Sequence, residues 1–185
     1  IQIDLFNEID KAYNGDLSLF DDISSEDLVM AFFPCIRFTQ QAELLFNQLP
    51  KQYCSKSDYD KISCAMQFEC ERYELFTLFC KMVQVCIKRG IRIVIENPYS
   101  NNHYLVRYFP IKSKVIDYDR RTRGDYFKKP TQYWFINCEP SYNYDSLFKV
   151  DVIQGSFKQV TFCSTRERSE ISSEYALQFI QEFIL

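Results

Sequence analysis

The stretch Asp27-Leu-Val-Met-Ala-Phe-Phe-Pro-Cys35 contains a continuous apolar run that stops at Pro34. Such a run, without alternation, is typical of a strand that is covered on both faces. Residues 58–89 form the longest periodic stretch of the chain, and their apolar residues recur near the helical spacing. Ile91-Arg-Ile-Val-Ile95 follows and repeats the continuous apolar character. Strand, long helix and strand predict a βαβ unit, and therefore an α/β fold with a mostly parallel sheet and flanking helices.

The rest of the chain contains further segments with the composition of regular elements. Gly90 is predicted to end the long helix in a left-handed cap. The other predicted elements are a helix over 38–49, strands over 115–118 and 131–137, an irregular excursion over 141–170, and a last helix capped by Ser172 or Ser173. The predicted apolar face of the long helix consists of Tyr59, Ile62, Met66, Tyr73, Phe76, Cys80, Val83 and Ile87. A length of 185 residues predicts one domain over 1–185.

Composition excludes several classes of protein. The four glycines cannot be arranged as GxGxxG or GxxxxGK, so the chain has no glycine-rich phosphate loop. No apolar run approaches the ~18 residues of a membrane span, so no membrane partner is expected. The eight cysteines lie within helix-like and strand-like runs of a chain without a secretory signal. They predict reduced thiols and a cytoplasmic protein rather than a disulfide scaffold or a zinc site.

Charge is distributed unevenly along the chain. The formal net charge is −3 and the pI is about 5.3, whereas dedicated nucleic-acid binders are usually basic. Residues 112–129 nevertheless carry seven basic and three acidic side chains. Such a local patch can follow phosphates even in an acidic chain. A solvated loop is the alternative interpretation of the same residues.

The two continuous strands end in polar residues next to proline. Cys35 follows the first strand, and Glu96 lies at the end of the second. In open α/β sheets, ligands bind outside the carboxyl ends of the strands, so both side chains are expected at one cleft. A thiolate can attack an electrophilic carbon while an acid stabilises the group that gains charge. The structural alternative is that Cys35 only packs and Glu96 caps a helix or pairs with an arginine. His103, the single histidine, could be a general base near Glu96, but a loop residue without catalytic duty is the favoured interpretation.

These segments resemble the motifs of DNA cytosine-C5 methyltransferases, a family with a Rossmann-like fold. Pro34-Cys35 is similar to the end of the family's Pro-Pro-Cys motif, and Glu96-Asn97-Pro98 to its Glu-Asn-Val motif. Weaker matches are Gly15-Asp-Leu17 to Gly-Asp-Ile, Phe6–Lys11 to the acidic cofactor segment, and Arg120–Arg123 to Gln-x-Arg-x-Arg. Residues 124–134 are also similar to phage-encoded cytosine methylase-like proteins. The resemblance covers roughly residues 4–137 and implies a partial Rossmann-like methyltransferase domain.

The resemblance implies specific roles for five residues. Cys35 would be the nucleophile for C6 of a cytosine flipped out of DNA, and Glu96 would hold N3 of the same base. S-adenosylmethionine would be the methyl donor. Its adenine would contact Asp16, its ribose would contact Glu8, and Pro34 would lie beside it.

The resemblance also implies contacts to DNA, which is the expected partner. Arg37 and either Arg121 or Arg123 would contact the base or nearby phosphates. Arg120 and Lys129 belong to the same basic set and are predicted to contact nucleic acid as well.

One departure from the family opens a second hypothesis. The family's Phe-x-Gly-x-Gly motif, which holds the cofactor, is absent from this sequence. Either the chain begins after that motif, or Asp4-Leu-Phe6 is a degenerate form of it. The alternative function is therefore a catalytically inactive methyltransferase-like binding module, such as a phage-encoded inhibitor of a host DNA-targeting nuclease with a host protein partner. Methylation of an exocyclic amine is a weaker alternative, because Asn97-Pro98-Tyr99 only partly matches the motif of those enzymes.

Overall fold

The computed structural model of the chain describes residues 4–39, 54–143 and 170–185. The helix predicted over 38–49 and the excursion predicted over 141–170 lie almost entirely outside the described residues. In chain order, the described elements are α1 (Leu5–Asn14), β1 (Leu28–Phe32), α2 (Asp58–Arg89), β2 (Arg92–Pro98), α3 (Tyr104–Tyr108), β3 (Val115–Asp117), β4 (Thr131–Ile136) and α4 (Ser173–Phe183). Short 3-10 helices occupy Leu19–Asp21 and Arg120–Arg123.

The described strands form one open sheet in the order β1-β2-β4-β3. β1 pairs with β2 in parallel, as the predicted strand–helix–strand unit requires. β4 is antiparallel to both β2 and β3, so the expectation of a mostly parallel sheet is wrong for the described residues. A parallel pairing needs a crossover of about a dozen residues or more, usually helical. The segment between β3 and β4 contains only a single 3-10 helix, and the chain turns back beside β3 instead.

β2 and β4 are buried on both faces, which explains their unbroken apolar sequences. Ile93, Ile95 and Trp134 belong to the core that the sheet shares with α1 and α2. Val94 and Phe135 face the opposite way and pack in a second core with α4. The mixed α/β architecture with flanking helices is therefore confirmed.

α2 has the predicted ends but not the predicted apolar face. Its N-cap is Ser57, whose side chain accepts a hydrogen bond from the Asp60 amide. Gly90 ends the helix with φ of 71°, a left-handed conformation that suits glycine. In the carboxyl-terminal half, Phe76, Cys80 and Val83 pack in the core as predicted, but Ile87 is 49% exposed. The predicted face is wrong in the other half, where Tyr59, Ile62, Met66 and Tyr73 are 62% to 80% exposed.

α4 is attached to the sheet by side chains at both of its ends. The Ser172 hydroxyl caps the helix, as predicted, and donates a hydrogen bond to the Gly124 carbonyl at 2.8 Å. Near the other end, the Arg123 guanidinium donates two hydrogen bonds to Glu182 at 2.7 and 2.8 Å. The same guanidinium lies 3.1 Å from the carboxylate of Asp117, at the end of β3.

Arg123→Met tests whether this buried charge pair holds α4 in place. We expect a loss of about 3 kcal/mol in the free energy of unfolding, because the Glu182 side chain is almost fully buried and would lose its partner. Methionine keeps the apolar contact that the arginine makes with Phe183. The control Lys61→Met, in an ion pair with the exposed Asp58, should cost less than about 1 kcal/mol in the same urea titration. Equal losses would contradict this assignment.

Candidate functional site

Three strand ends and one strand start lie at the same edge of the sheet. Because β4 is antiparallel to both of its neighbours, β1, β2 and β3 all run in one direction. Their carboxyl ends therefore meet the amino end of β4, at the edge where open α/β sheets bind ligands. This edge carries Pro34-Cys35 after β1, Glu96 and Tyr99 at the end of β2, Tyr118-Asp119 after β3, and Lys128-Lys129 before β4.

Cys35 and Glu96 are brought together by strand register and a side-chain hydrogen bond. Phe32, the last residue of β1, pairs with Glu96 of β2. The next residue of β2, Asn97, donates its amide to the Phe33 carbonyl at 2.8 Å. This bond fixes the turn that carries Cys35 against β2. The structure thus places the two segments side by side at this edge, and their joint action on a ligand stays a prediction.

Glu96 is a buried carboxyl group with one unsatisfied oxygen. Its side chain lies on the face of the sheet that packs against α4, and the residue is 6% exposed. The Oε1 atom finds no hydrogen-bond donor among the described residues. The nearest cation is the Arg120 Nη1 atom, 3.9 Å away. Burial raises the pKa of Glu96, although Lys129 and Arg120 act in the opposite direction. The carboxyl therefore keeps its proton at a higher pH than an exposed glutamate and can donate a hydrogen bond.

The thiol of Cys35 is partly buried and responds to the same charges. Burial raises the pKa of Cys35, the positive charge of Lys129 lowers it, and the negative charge of Glu96 raises it further. Cys35, Glu96 and Lys129 therefore form one electrostatically coupled group. Lys129 is the residue that favours the reactive thiolate.

Arg120 is fully buried beside this group. Asp119 caps the 3-10 helix Arg120–Arg123 with its carboxylate, and that helix directs Arg120 into the protein. Its guanidinium lies 4.4 Å from the centre of the Tyr175 ring and forms an ion pair with Asp125. Its Nη2 atom is engaged by Asp125, whereas its Nε and Nη1 atoms make no hydrogen bond with the described residues. Arg120 can therefore reach only a ligand group that enters the protein.

The other predicted DNA contacts have carboxylate partners within the protein. Arg121 donates to Asp119 at 2.8 and 2.6 Å, and Arg123 is held by Asp117 and Glu182 as described above. Arg37 donates from its Nε atom to Glu71 at 2.6 Å. Of the predicted basic residues, the structure thus brings Arg120 and Lys129 to Cys35 and Glu96. The DNA contacts of all five predicted basic residues stay predictions.

Two of the predicted cofactor residues, Glu8 and Asp16, lie in or just after α1, whereas the predicted catalytic residues lie at strand ends. Glu8 lies in α1, where its two oxygens accept hydrogen bonds from the Lys11 ammonium at 2.7 Å and the Leu19 amide at 2.8 Å. Those two bonds, the one from Lys11 first, hold the pKa of Glu8 below its usual range. Asp4 caps α1, so the Asp4-Leu-Phe6 segment begins a helix. Asp16 is exposed after the left-handed Gly15. Each oxygen of Glu8 thus accepts one hydrogen bond within the protein, and its contact to a ribose stays a prediction.

His103 is a core residue on the other face of the sheet. It is 1% exposed, and burial lowers its pKa to about 4, so the ring is neutral at physiological pH. Its Nδ1 atom lies 3.4 Å from the amide nitrogen of Gln132, which pairs with Asn97 in the β2–β4 register. Asn97 and Glu96 are successive strand residues and point to opposite faces. His103 is therefore not positioned as a base for Glu96.

Sequence reasoning missed the inner partners of the site, Asp125 and Tyr175. Asp125 lies five positions after Arg120, and nothing in the sequence distinguished it from Asp117 or Asp119 as the partner of that arginine. Tyr175 had no signal either, because its ring reaches Arg120 only through the packing of α4 on the sheet.

Comparison with known proteins gives no match to a family model, to a curated protein sequence or to a solved structure. Among the described helices, none is long and apolar enough to cross a membrane. The described residues also contain no cluster of three or more histidine, cysteine or acidic side chains positioned to hold a metal ion.

The coupling of Cys35 to its neighbours predicts opposite effects of two substitutions. Glu96→Gln removes a negative charge, so we expect the pKa of Cys35 to fall and its alkylation by iodoacetamide to begin at lower pH. Lys129→Met removes a positive charge, so alkylation should begin at higher pH. Site-resolved mass spectrometry between pH 6 and 10 measures both. Cys80, whose raised pKa is due to burial alone, provides the internal control. Shifts of the same sign at Cys35 would refute the coupling.

Burial of Glu96 also predicts a pH-dependent stability. Its native pKa lies above the ordinary value of 4.5, so the native state holds the proton more tightly than the unfolded chain. The wild type should therefore lose stability as the pH rises from about 4.5 through the native pKa. A glutamine side chain does not titrate, so the Glu96→Gln variant should gain stability relative to the wild type as the pH rises. Urea denaturation at pH 4.5 and pH 8 measures this difference. A relative gain that shrinks with rising pH would contradict it.

Proposed function

We propose that this chain is a DNA cytosine-C5 methyltransferase-like protein, in which Cys35 and Glu96 act on a cytosine taken from DNA. The observation that carries the proposal is the meeting of Cys35 and Glu96 at the carboxyl ends of β1 and β2, with the Oε1 atom of Glu96 buried and unsatisfied. The resemblance of Pro34-Cys35 and Glu96-Asn97-Pro98 to the motifs of that family supplies the class of reaction.

The chemistry follows from the protonation states of these side chains. The Cys35 thiolate adds to C6 of the cytosine and forms a carbon–sulfur bond. The electrons of the C5–C6 double bond move into the ring, and Glu96 in its acid form gives its proton to N3. Lys129 favours the thiolate, and the Nε and Nη1 atoms of Arg120 are unsatisfied and can donate to the base. Because Glu96 and Arg120 are buried, the base must leave its stack to reach them.

S-adenosylmethionine belongs to this proposal as the methyl donor, with a limited set of contacts. Asp16 is exposed and Pro34 precedes the nucleophile, and both remain candidates. Glu8 accepts one hydrogen bond on each oxygen, from Lys11 and Leu19, so a ribose contact would use its remaining lone pairs.

The second candidate is the catalytically inactive binding module, including an inhibitor of a host DNA-targeting nuclease. Two observations favour it. Glu8 is engaged within the protein, and the pKa of Cys35 is raised rather than lowered, whereas activated cysteines usually have a lowered pKa. On this hypothesis, binding of DNA or of a host protein would be unchanged in Cys35→Ala.

Hydrogen exchange at C5 of cytosine tests the catalytic residues without a methyl donor. Addition of Cys35 to C6 makes C5 basic, so a deuteron from D₂O binds there. Loss of the original proton and release of the thiolate then restore the base with deuterium at C5. We expect exchange in a cytosine-containing oligonucleotide, its loss in Cys35→Ser, and a decrease of about 100-fold or more in Glu96→Gln. Mass spectrometry of the oligonucleotide measures the exchange.

Two controls separate the candidate functions. Cys70→Ser changes an exposed cysteine of α2 and should leave the exchange rate unchanged. Labelled S-adenosylmethionine added to the same mixture should transfer its methyl group to DNA. Exchange without methyl transfer would remove the methyl donor from the proposal. DNA binding without exchange would favour the binding module and exclude Cys35 as a nucleophile.

A further inference from the structure

Large apolar side chains are exposed around Cys35 and Glu96. Phe32, which pairs with Glu96, is 59% exposed, and Ile36, which follows Cys35, is 62% exposed. Tyr118, after β3, is 63% exposed. Single exposed apolar residues are common on proteins, but a group of them at the rim of a site marks a contact surface for a ligand.

Two of the aromatic residues at this edge form a pair. Tyr99 follows β2 and Tyr118 follows β3, and their ring centres are 5.6 Å apart. The rings are nearly perpendicular, at 89°. The Tyr99 amide donates to the Pro130 carbonyl at 2.8 Å, so the pair lies at the start of β4, next to Lys129. A rigid backbone contact thus positions an aromatic surface beside the Cys35 and Glu96 group.

The charge at the edge is basic where it is exposed. Arg120 and Arg123 are engaged with buried carboxylates, so they add little to the surface potential. Lys128 is exposed and close enough to Asp119 to contribute to the lowering of its pKa, although hydrogen bonds from Arg121 contribute more. Lys128 and Lys129 are therefore the cations that the edge offers to a phosphate.

We propose that this edge binds single-stranded DNA, with Tyr99 and Tyr118 as a stacking platform for a base that neighbours the one at Cys35 and Glu96. The inference rests on the proposed function for that central base. Aromatic rings interleaved with lysines are the usual means of holding a single strand, because every base has a face that can stack. Three strand spacings of about 4.8 Å separate β1 from β3. The edge therefore extends over several times the roughly 3.4 Å rise of stacked nucleotides.

The same observations favour a single strand over a duplex. Duplex binding depends chiefly on the neutralisation of phosphates, and the exposed lysines at this edge are few in a chain of net charge −3. Exposed rings gain little from a duplex, whose bases are already stacked. A cytosine that must reach a buried carboxyl is extracted at the least cost from a strand that is not paired.

Fluorescence anisotropy with labelled oligothymidine tests the platform. This probe contains no cytosine, so its binding does not depend on the reaction proposed for Cys35, and Cys35→Ser should bind it as the wild type does. We expect tighter binding to the single strand than to a duplex of equal length. Tyr118→Ala should raise the dissociation constant at least about 5-fold, as for the loss of one stacked base. Lys128→Ala should lower the slope of log affinity against log salt by about 0.7.

Matched variants keep the test decisive. Tyr13→Ala removes a comparably exposed tyrosine of α1 that contacts Lys81, and it should leave the dissociation constant unchanged. Tyr118→Phe retains the ring and should bind as the wild type does. The proposal is overturned if the duplex binds as tightly as the single strand, if Tyr118→Ala and Tyr13→Ala behave alike, or if oligothymidine does not bind. If the wild type binds oligothymidine but does not exchange C5 hydrogen in the cytosine-containing oligonucleotide, the proposed function is refuted and the single-strand surface is not.

Discussion

The pairing of Phe32 with Glu96 determines which side chains can meet in this protein. Successive strand residues point to opposite faces, so a slip of one position in the β1–β2 register would turn Glu96 towards α1 and α2. The hydrogen bond from Asn97 to the Phe33 carbonyl holds the register at the point where it matters for Cys35. This register directs the Glu96 carboxyl to the α4 face. Only on that face can it lie near Arg120, Tyr175 and the start of β4.

A buried carboxyl group next to a buried guanidinium is costly to stability. Taking both ions out of water costs several kcal/mol each, and their attraction offsets this only with good hydrogen bonds. The Glu96 and Arg120 side chains lie 3.9 Å apart and lack those bonds within the described residues. Asp125 and Tyr175 stabilise the arginine, but its Nε and Nη1 atoms are left without hydrogen bonds. Perturbed, unsatisfied groups of this kind cluster at functional sites, where a ligand completes them.

The sequence predicted the local features of this structure better than the distant ones. The apolar runs predict the β1–α2–β2 unit, and Gly90 predicts the end of its helix. The polar residues and prolines that end the two strands place Cys35 near Glu96. The antiparallel β4 was not predictable from its apolar run, because a buried strand reads the same in either direction. The burial of Arg120 and the pairing of Arg123 with buried carboxylates were missed for a similar reason. Their segment is held by residues of α4, such as Glu182, which lies 59 positions beyond Arg123. A run of arginines therefore looked like a surface patch.

The raised pKa values of Cys35 and Glu96 are compatible with catalysis because the two groups are coupled. Ionised Glu96 disfavours the thiolate, but burial favours the neutral form of Glu96. When Glu96 keeps its proton, that repulsion is absent. Lys129 then lowers the pKa of Cys35, and burial is the influence that still raises it. The state with a thiolate, a protonated Glu96 and a charged Lys129 is the one that addition to cytosine requires. Such pairs titrate together, so the pKa of either group alone does not describe the state that reacts. Burial by itself favours the neutral forms of both groups, so the reactive thiolate is a minor state that Lys129 helps to populate.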